Sequence, residues 1–224
     1  MLFSATMAKE IINVTFRYMK LPVSVEIAPS GTPADNVTQE LFIVKKEDKF
    51  KLLGKLLARY PGAVLLFSRM KHHAGRIAQS IRMMGYSAAE IHSDRTQAQR
   101  REALDGFKSG RYKVLVATDI AARGIDVIGI ELVINYDLPD DTESYVHRIG
   151  RTGRAGHKGH AISFATPDQK DDVRKIEELI RTTLPISKHP DIPQEQFTRR
   201  APPPISIPRR FSRGRRRAFR RVSW

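Results

Sequence analysis

Arginine and glycine alternate in one short stretch of the chain, residues 147–156, with the sequence HRIGRTGRAG. Arg151 and Arg154 are three positions apart, so both guanidinium groups can face one side. The glycines let the backbone approach a ligand closely. Guanidinium groups match phosphate oxygens with paired hydrogen bonds, and an arginine aimed at a transferring γ-phosphoryl group accelerates its transfer by ~10³–10⁵. The spacing favours phosphate contact over the alternative, a basic and solvated helix end.

A second polar segment, residues 117–126 with the sequence ATDIAARGID, directly follows an apolar run. In parallel α/β sheets, loops at the ends of strands are where ligands bind. Thr118 could donate a hydrogen bond to a phosphate, and Asp126 could accept one from a ribose hydroxyl. For Asp119 a simpler alternative stays open, that of a helix N-cap.

A third segment, residues 92–100, has the sequence HSDRTQAQR. Thr96 is the predicted N-cap of a helix, and Gln97 and Arg100 then lie three positions apart in its first turn. A helix amino terminus beside an arginine attracts phosphate. Alone, this signal is weak.

Strands and helices must position these segments, and their sequence patterns alternate along the chain. Short apolar runs predict buried parallel strands, and apolar residues at helical spacing predict helices between them. The predicted strands are 37–44, 63–67, 87–92, 114–117, 132–136 and 160–164, and the predicted helices are 49–60, 71–84, 97–107, 168–183 and one beginning near Thr142. This alternation predicts an α/β fold, a doubly wound parallel sheet flanked by helices.

Charge is concentrated at the carboxyl terminus. The net charge is +15, and residues 199–224 contain ten Arg and no Asp or Glu. Such a segment attracts phosphate backbones through counterion release, although a solubilising terminus is the alternative. The chain has no cysteine, which excludes disulfides and thiolate zinc sites, and no apolar run approaches the ~20 residues of a membrane span. We expect a cytoplasmic protein.

Together, in this order and spacing, the segments resemble the motifs of the DEAD-box ATP-dependent RNA helicases of superfamily 2. Ser4-Ala5-Thr6 resembles motif III, Leu65 to Ser68 motif IV, Gln97 and Arg100 the QxxR motif, Thr118 to Asp126 motif V, and His147 to Arg154 motif VI. The form HRIGRTGR is typical of DEAD-box proteins. The resemblance covers Met1 to about Pro190.

The resemblance implies a domain organisation. Residues 37–188 would form the RecA-like C-terminal helicase domain, preceded by a remnant of the first RecA-like domain over 1–27 and a linker over 28–36. Beyond the resemblance, composition predicts that residues 189–224, which are rich in proline and arginine, form a disordered tail.

The resemblance also implies roles for individual residues. Arg151 and Arg154 would be catalytic arginine fingers at the γ-phosphate of ATP, in a cleft shared with Asp126, and His147 would link motif VI to motif III. The implied RNA-binding residues, which would touch phosphates and 2′-hydroxyls rather than bases, are Gln97, Arg100, Thr118 and Gly124. Ser4 and Thr6 would couple the state of ATP to RNA binding.

Neither a GxxxxGK[ST] phosphate-binding loop nor the DEAD carboxylates occur in these 224 residues. ATP and Mg²⁺ would therefore be bound mainly by an N-terminal RecA-like domain, in cis or in trans, and we assign no metal ligand in this chain. The isolated chain is predicted to lack significant ATPase activity. Three hypotheses stay open: half of an RNA-dependent ATPase, a freestanding RNA-binding module, and an inactive truncation.

Overall fold

One parallel sheet organises the molecule. The structure, a computed structural model, describes residues 9–19, 23, 36–122 and 125–198. The strands, arranged β1-β6-β5-β2-β4-β3 across the sheet, are β1 Val37–Ile43, β2 Ala63–Phe67, β3 Ala88–Ile91, β4 Val114–Ala117, β5 Ile130–Asn135 and β6 Gly159–Ala165. The helices are α1 Lys9–Tyr18, α2 Lys49–Arg59, α3 Lys71–Met83, α4 Gln97–Lys108, α5 Asp119–Ala122, α6 Thr142–Ile149 and α7 Lys170–Ile180.

The strands are apolar on both faces because helices cover both faces of the sheet. In β2, Leu65 and Phe67 contribute to one hydrophobic cluster, whereas Val64 and Leu66 contribute to the other. All four side chains are at most 1% exposed. A strand buried on both sides has no polar face to alternate with, which explains why continuous apolar runs identified the strands.

The predicted fold class is confirmed, and the element boundaries are close. The strand predicted over 132–136 begins two residues earlier, at Ile130, and the helix predicted over 168–183 is shorter at both ends, Lys170–Ile180. Helix α1 was not predicted, and α5 was foreseen only in the alternative that Asp119 caps a helix. Of the helices in the described part of the chain, none is long and apolar enough to cross a membrane.

The segment after α7 pairs with β1 at the edge of the sheet and packs on the domain. The Leu41 amide donates to the Pro185 carbonyl at 2.9 Å, and the Ser187 amide donates to the Leu41 carbonyl at 2.8 Å. Ile192 is 8% exposed, and the Thr198 amide donates to Pro167. Residues 189–198, which the sequence placed in the tail, therefore contact the domain.

Composition explains this difference. Proline and charge make residues 189–198 resemble a tail, but the charges are paired: Lys55 with Asp191 at 2.5 Å, and Lys45 with Glu195 at 3.2 Å. The predictions for residues 1–8, 24–35 and 199–224 lie outside the described residues.

Candidate functional site

The segment between β4 and β5 crosses one face of the sheet. Ala117, at the end of β4, pairs with Phe67, the last residue of β2. Ile130, at the start of β5, pairs with Ala63, the first residue of β2. Residues 118–129 thus run from the carboxyl edge of the sheet to its amino edge, as a connection between parallel strands must.

This crossing separates two predicted site residues. Thr118 lies at the carboxyl edge, where its amide donates to the Ile91 carbonyl at 3.2 Å. Asp126 lies toward the amino edge, four residues before β5. The prediction of a strand-end loop is correct for Thr118 and wrong for Asp126.

Helix α6 ends just before the two arginines and sets their position near Asp126. Asp141 caps the helix, its carboxylate accepting from the Glu143 and Ser144 amides at 3.2 Å each. The chain leaves α6 at Gly150 and turns beside the amino edge, where the Thr152 hydroxyl donates to the Ile130 carbonyl at 2.5 Å. The residues after the helix are thereby fixed next to the start of β5.

The side chains of Arg151 and Arg154 converge on the 118–129 segment. Arg151 donates from Nη1 to the Ile125 carbonyl at 2.8 Å and from Nε to the His147 carbonyl at 3.2 Å. Arg154 donates from Nε to the Gly150 carbonyl at 2.7 Å and forms an ion pair with Asp126 at 3.1 Å. A guanidinium carries five N–H donors, so each arginine keeps N–H groups available for a ligand.

Both arginines line one cavity of about 180 Å³, together with His157 and Lys158. Burial lowers the pKa of Arg151, the neighbouring Arg154 lowers it further, and Asp126 opposes the change. Arginine nevertheless stays protonated in proteins. Two cations held this close repel each other, so an anion bound between them would be stabilised.

Gly153 fixes the turn between the two arginines. Its φ is +68°, and a Cβ there would lie 2.5 Å from the Val37 side chain. We expect Gly153→Ala to cost about 1–2 kcal/mol from the left-handed backbone alone, and more from the contact with Val37. Urea unfolding measures this difference in the free energy of unfolding.

Gly156→Ala is the matched control for Gly153→Ala. Gly156 has a φ of +79°, but a Cβ there would meet no atom within 4 Å, so only the backbone cost applies. Equal losses of stability in the two variants would show that Val37 yields without cost.

The predicted residues of the third segment, around the start of α4, lie near the carboxyl edge of the sheet. Thr96 caps α4, as predicted: the Gln99 amide donates to its hydroxyl at 3.3 Å, and the Thr96 amide donates to Gln99 Oε1 at 3.0 Å. Gln97 is exposed. Arg100 donates to the Ala121 carbonyl at 3.3 Å, so it also ties α4 to the residues after Thr118.

Three predicted residues cannot be placed. Gly124 lies outside the described residues, as do Ser4 and Thr6 of the predicted coupling motif. The side chain of His147 is half-buried, and its carbonyl accepts from Arg151.

Arg148 is a buried residue that positions the site, and the sequence motif alone assigned it no role. Its guanidinium donates to both carboxylate oxygens of Asp119, at 2.5 and 2.7 Å, and to the carbonyl of Asp137 at 2.6 Å. It also donates to Asn135 at 3.2 Å and lies 5.0 Å from the centre of the Phe67 ring. The side chain is 1% exposed, so Arg148 is a core residue rather than a ligand-binding one.

The ion pair between Arg148 and Asp119 connects residues 147–156 with residues 117–126. Asp119 begins α5 and Arg148 lies in the last turn of α6, so the contact braces the 118–129 crossing against the helix that carries Arg151 and Arg154. Asp119 is occupied by this pair, and the N-cap alternative is not what the structure shows. Tyr145, Arg148 and Ile149 share the buried face of α6, and that helical spacing was the available signal.

Comparison with known proteins shows which family the chain resembles. The family model described as "Helicase conserved C-terminal domain" matches residues 48–156. The ATP-dependent RNA helicase DbpA of Bacillus subtilis (strain 168) is 42% identical over 203 residues, which cover 90% of this chain and 42% of DbpA. The ATP-dependent RNA helicase RhlB of Shewanella sp. (strain ANA-3) is 38% identical, with coverage of 96% and 49%.

Solved structures identify the family of helicases to which the chain belongs. E. coli DEAD-box protein SrmB, bound to regulator of ribonuclease activity A, is 33% identical with a TM-score of 0.65, covering 70% of this chain and 92% of that chain. S. cerevisiae Dbp5, bound to RNA and ADP BeF3, is 29% identical with a TM-score of 0.75, covering 83% and 50%. This chain belongs to the DEAD-box family of RNA helicases and corresponds to their C-terminal domain. It spans less than half the length of DbpA and RhlB.

Proposed function

We propose that this chain supplies the C-terminal RecA-like half of an ATP-dependent RNA helicase, with Arg151 and Arg154 as its arginine fingers. The observation that carries the proposal is that both arginines line one cavity, while Asp126 forms an ion pair with Arg154 at 3.1 Å. ATP and Mg²⁺ are held mainly by an N-terminal RecA-like domain, in cis or in trans. This chain closes over the terminal phosphate.

The chemistry of the arginines is electrostatic. Negative charge on the transferring phosphoryl group is spread over its oxygens, and positioned cationic donors stabilise it without covalent chemistry. The backbone carbonyls of His147, Ile125 and Gly150 hold the arginines in place, so their orientation does not have to be created during the reaction. His147 links the arginine motif to Ser4 and Thr6, which couple the state of ATP to RNA binding.

Asp126 has two tasks in this proposal. One carboxylate oxygen holds Arg154 at 3.1 Å. The other accepts no hydrogen bond from the described residues, and the side chain is 82% exposed. That oxygen accepts from a ribose hydroxyl of ATP, so nucleotide binding and the position of Arg154 depend on the same group.

RNA binds at Gln97, Arg100 and Thr118, which lie at the carboxyl edge of the sheet, and at Gly124. The contacts are to phosphates and 2′-hydroxyls and are therefore independent of base sequence. Thr118 begins the crossing that ends beside Asp126, and Arg148 braces that crossing. RNA at one edge and ATP at the other thus act on the same twelve-residue segment, which couples unwinding to hydrolysis.

These 224 residues contain neither the phosphate-binding loop nor the DEAD carboxylates, and this gives a direct test of the proposed division between the two domains. We expect the isolated 224-residue chain to show no RNA-stimulated ATP hydrolysis, because an arginine finger stabilises a charge that other groups must first position. Joining the chain to a RecA-like domain with the phosphate-binding loop and DEAD carboxylates restores turnover. Clear turnover by the chain alone, after removal of contaminating ATPases, would contradict this division of labour.

The arginine-rich residues 199–224 add affinity for RNA. Deleting them weakens binding of single-stranded RNA and reduces the salt dependence of the binding constant, by about 0.7 in the logarithmic slope for each lost phosphate contact. Fluorescence anisotropy across a salt series measures both effects. An unchanged slope would reduce this segment to a solubilising terminus, and strong binding by the chain alone would favour the freestanding RNA-binding alternative.

A further inference from the structure

A third cation lines the cavity that holds Arg151 and Arg154, and the proposed function gives it no role. This cation is Lys158, an exposed residue directly before β6. Among the described residues, its side chain has no hydrogen-bond or ion-pair partner. The two arginines, by contrast, each donate to a backbone carbonyl. The Lys158 ammonium carries three donors, and these are available for a ligand.

A tight turn returns the chain to this cavity after the arginines. The His157 amide donates to the Arg154 carbonyl at 3.1 Å, which closes a four-residue turn. The two central residues, Ala155 and Gly156, have φ values of +53° and +79°, and positive φ at both central positions is the pattern of a type I′ turn. Alanine rarely adopts a positive φ, and strained backbone of this kind concentrates at functional sites. Because such a turn reverses the chain, Lys158 lies beside the segment that carries the arginines.

Hydrogen bonds on the other side of Lys158 fix its backbone. The Gly159 amide donates to the Asn36 carbonyl at 2.9 Å, and the Thr38 hydroxyl donates to the Gly159 carbonyl at 3.2 Å. Gly159 begins β6, which lies between β1 and β5 in the sheet. The Cα of Lys158 is thus held between the turn and the sheet, and only its side chain is left to move.

The charges around the cavity leave a surplus of cations. Glu131 is the one carboxylate among the described residues that line the cavity, and it accepts from the Gly62 amide at 2.6 Å. Asp126, which does not line the cavity, is paired with Arg154 at 3.1 Å. The three permanent cations of the lining, two arginines and one lysine, outnumber these two carboxylates. A cleft with such a surplus attracts an anionic ligand.

The arginines and the lysine are held differently, and this predicts different effects on the reaction. Both guanidinium groups are oriented by hydrogen bonds to the backbone, which suits them to a transition state of fixed geometry. The Lys158 ammonium has no such bond and is a point charge on a flexible four-carbon chain. It follows a phosphate equally well before and during the transfer, so it strengthens binding without favouring the transition state.

We infer that Lys158 is a third phosphate-binding residue of the ATP site, which contacts the triphosphate of the bound nucleotide and contributes affinity rather than rate. The inference rests on the proposed function, because it requires that the cavity faces ATP. It adds to that function a residue that acts on ground-state binding, whereas Arg151 and Arg154 act on the transfer itself.

The first experiment measures anion binding to the full 224-residue chain by backbone amide NMR. The probe is inorganic tripolyphosphate, which resembles the triphosphate without the base or the ribose. We expect it to shift the amides of Gly129, Thr152 and Gly153, which line the cavity. Lys158→Gln weakens binding at these amides by about fivefold, the loss expected for one solvent-accessible ion pair. The readout is specific to these residues, so probe bound to the arginine-rich residues 199–224 does not obscure it.

Two variants make this result specific. Lys175→Gln removes the same charge from an exposed position on α7 that does not line the cavity, and it leaves the affinity at these amides unchanged. Lys158→Arg keeps the cation and retains most of the wild-type affinity. The two substitutions at position 158 thus separate the loss of charge from the change of side chain.

The second experiment measures ATP hydrolysis after this chain is joined to a RecA-like domain that binds ATP. Lys158→Gln raises KM for ATP by about fivefold and leaves kcat unchanged, as the loss of uniform binding predicts. This is the reverse of the effect expected for the arginine variants, in which kcat falls.

The inference is overturned if Lys158→Gln and Lys175→Gln bind tripolyphosphate alike, or if Lys158→Gln lowers kcat as much as an arginine variant does. It is also overturned if tripolyphosphate leaves the amides of the cavity unshifted. None of these outcomes contradicts the proposed function, which fails instead if Arg151→Ala and Arg154→Ala hydrolyse ATP at the wild-type rate.

Discussion

Replacing Arg151 or Arg154 with alanine lowers the rate of ATP hydrolysis by ~10³-fold or more once this chain follows a RecA-like domain that binds ATP. Each guanidinium is held by backbone carbonyls beside Asp126, so its loss removes a preorganised charge. Because the interaction forms with the transferring phosphoryl group, we expect the change in kcat, with little change in ATP affinity. Steady-state kinetics at saturating RNA separate the two.

Two controls accompany these variants. Arg174→Ala removes an exposed arginine, 75% accessible and paired with Glu178 on α7, and leaves the rate unchanged. Asp126→Asn weakens the hold on Arg154 while keeping both guanidinium groups, so its loss of rate is smaller than that of Arg154→Ala. A wild-type rate for Arg151→Ala or Arg154→Ala would show that the residue is not a finger.

Asp119→Ala destabilises the domain by about 3–5 kcal/mol, the cost of leaving a buried charge without its partner. The stranded group is Arg148, whose side chain is 1% exposed and out of reach of water. Removing the other partner, with Arg148→Met, lowers the free energy of unfolding by less, because Asp119 is 32% exposed and water can solvate it. Urea unfolding measures both free energies.

The double variant gives the sharper result. Combining Asp119→Ala with Arg148→Met removes both charges, so we expect it to be more stable than Asp119→Ala alone. The exposed pair of Arg174 and Glu178 is the reference, since breaking it costs about 0.3–0.5 kcal/mol. A loss for Asp119→Ala no larger than this reference would mean that the buried pair does not brace the site.

The sheet was predictable because burial on both faces leaves a simple sequence signal. Leu65 and Phe67 pack on one side and Val64 and Leu66 on the other, which produces an uninterrupted apolar run. Thr96 was predictable for a similar reason, since its capping contacts are local, within three residues. Local geometry and continuous burial can both be inferred without knowing the tertiary structure.

The site was only partly predictable, because the role of each residue depends on contacts with residues that are far away in the sequence. Arg148, Arg151 and Arg154 belong to one motif, but only tertiary packing shows that Arg148 meets Asp119, 29 positions away. The position of Asp126 at the amino edge depends on how the chain crosses the sheet. A second cavity, over Lys49, is lined by residues that lie between positions 46 and 198, so no single segment of the sequence predicts it.

The most direct measurement compares the affinities of the two-domain protein for ADP and for ADP with aluminium fluoride, a mimic of the transferring phosphoryl group. We expect the wild-type protein to bind the mimic more tightly than ADP, as enzymes bind transition-state analogues. Arg151→Ala and Arg154→Ala should lose that preference and keep their affinity for ADP. An undiminished preference in both variants, or an equal loss for both ligands, would contradict contact between these arginines and the terminal phosphate.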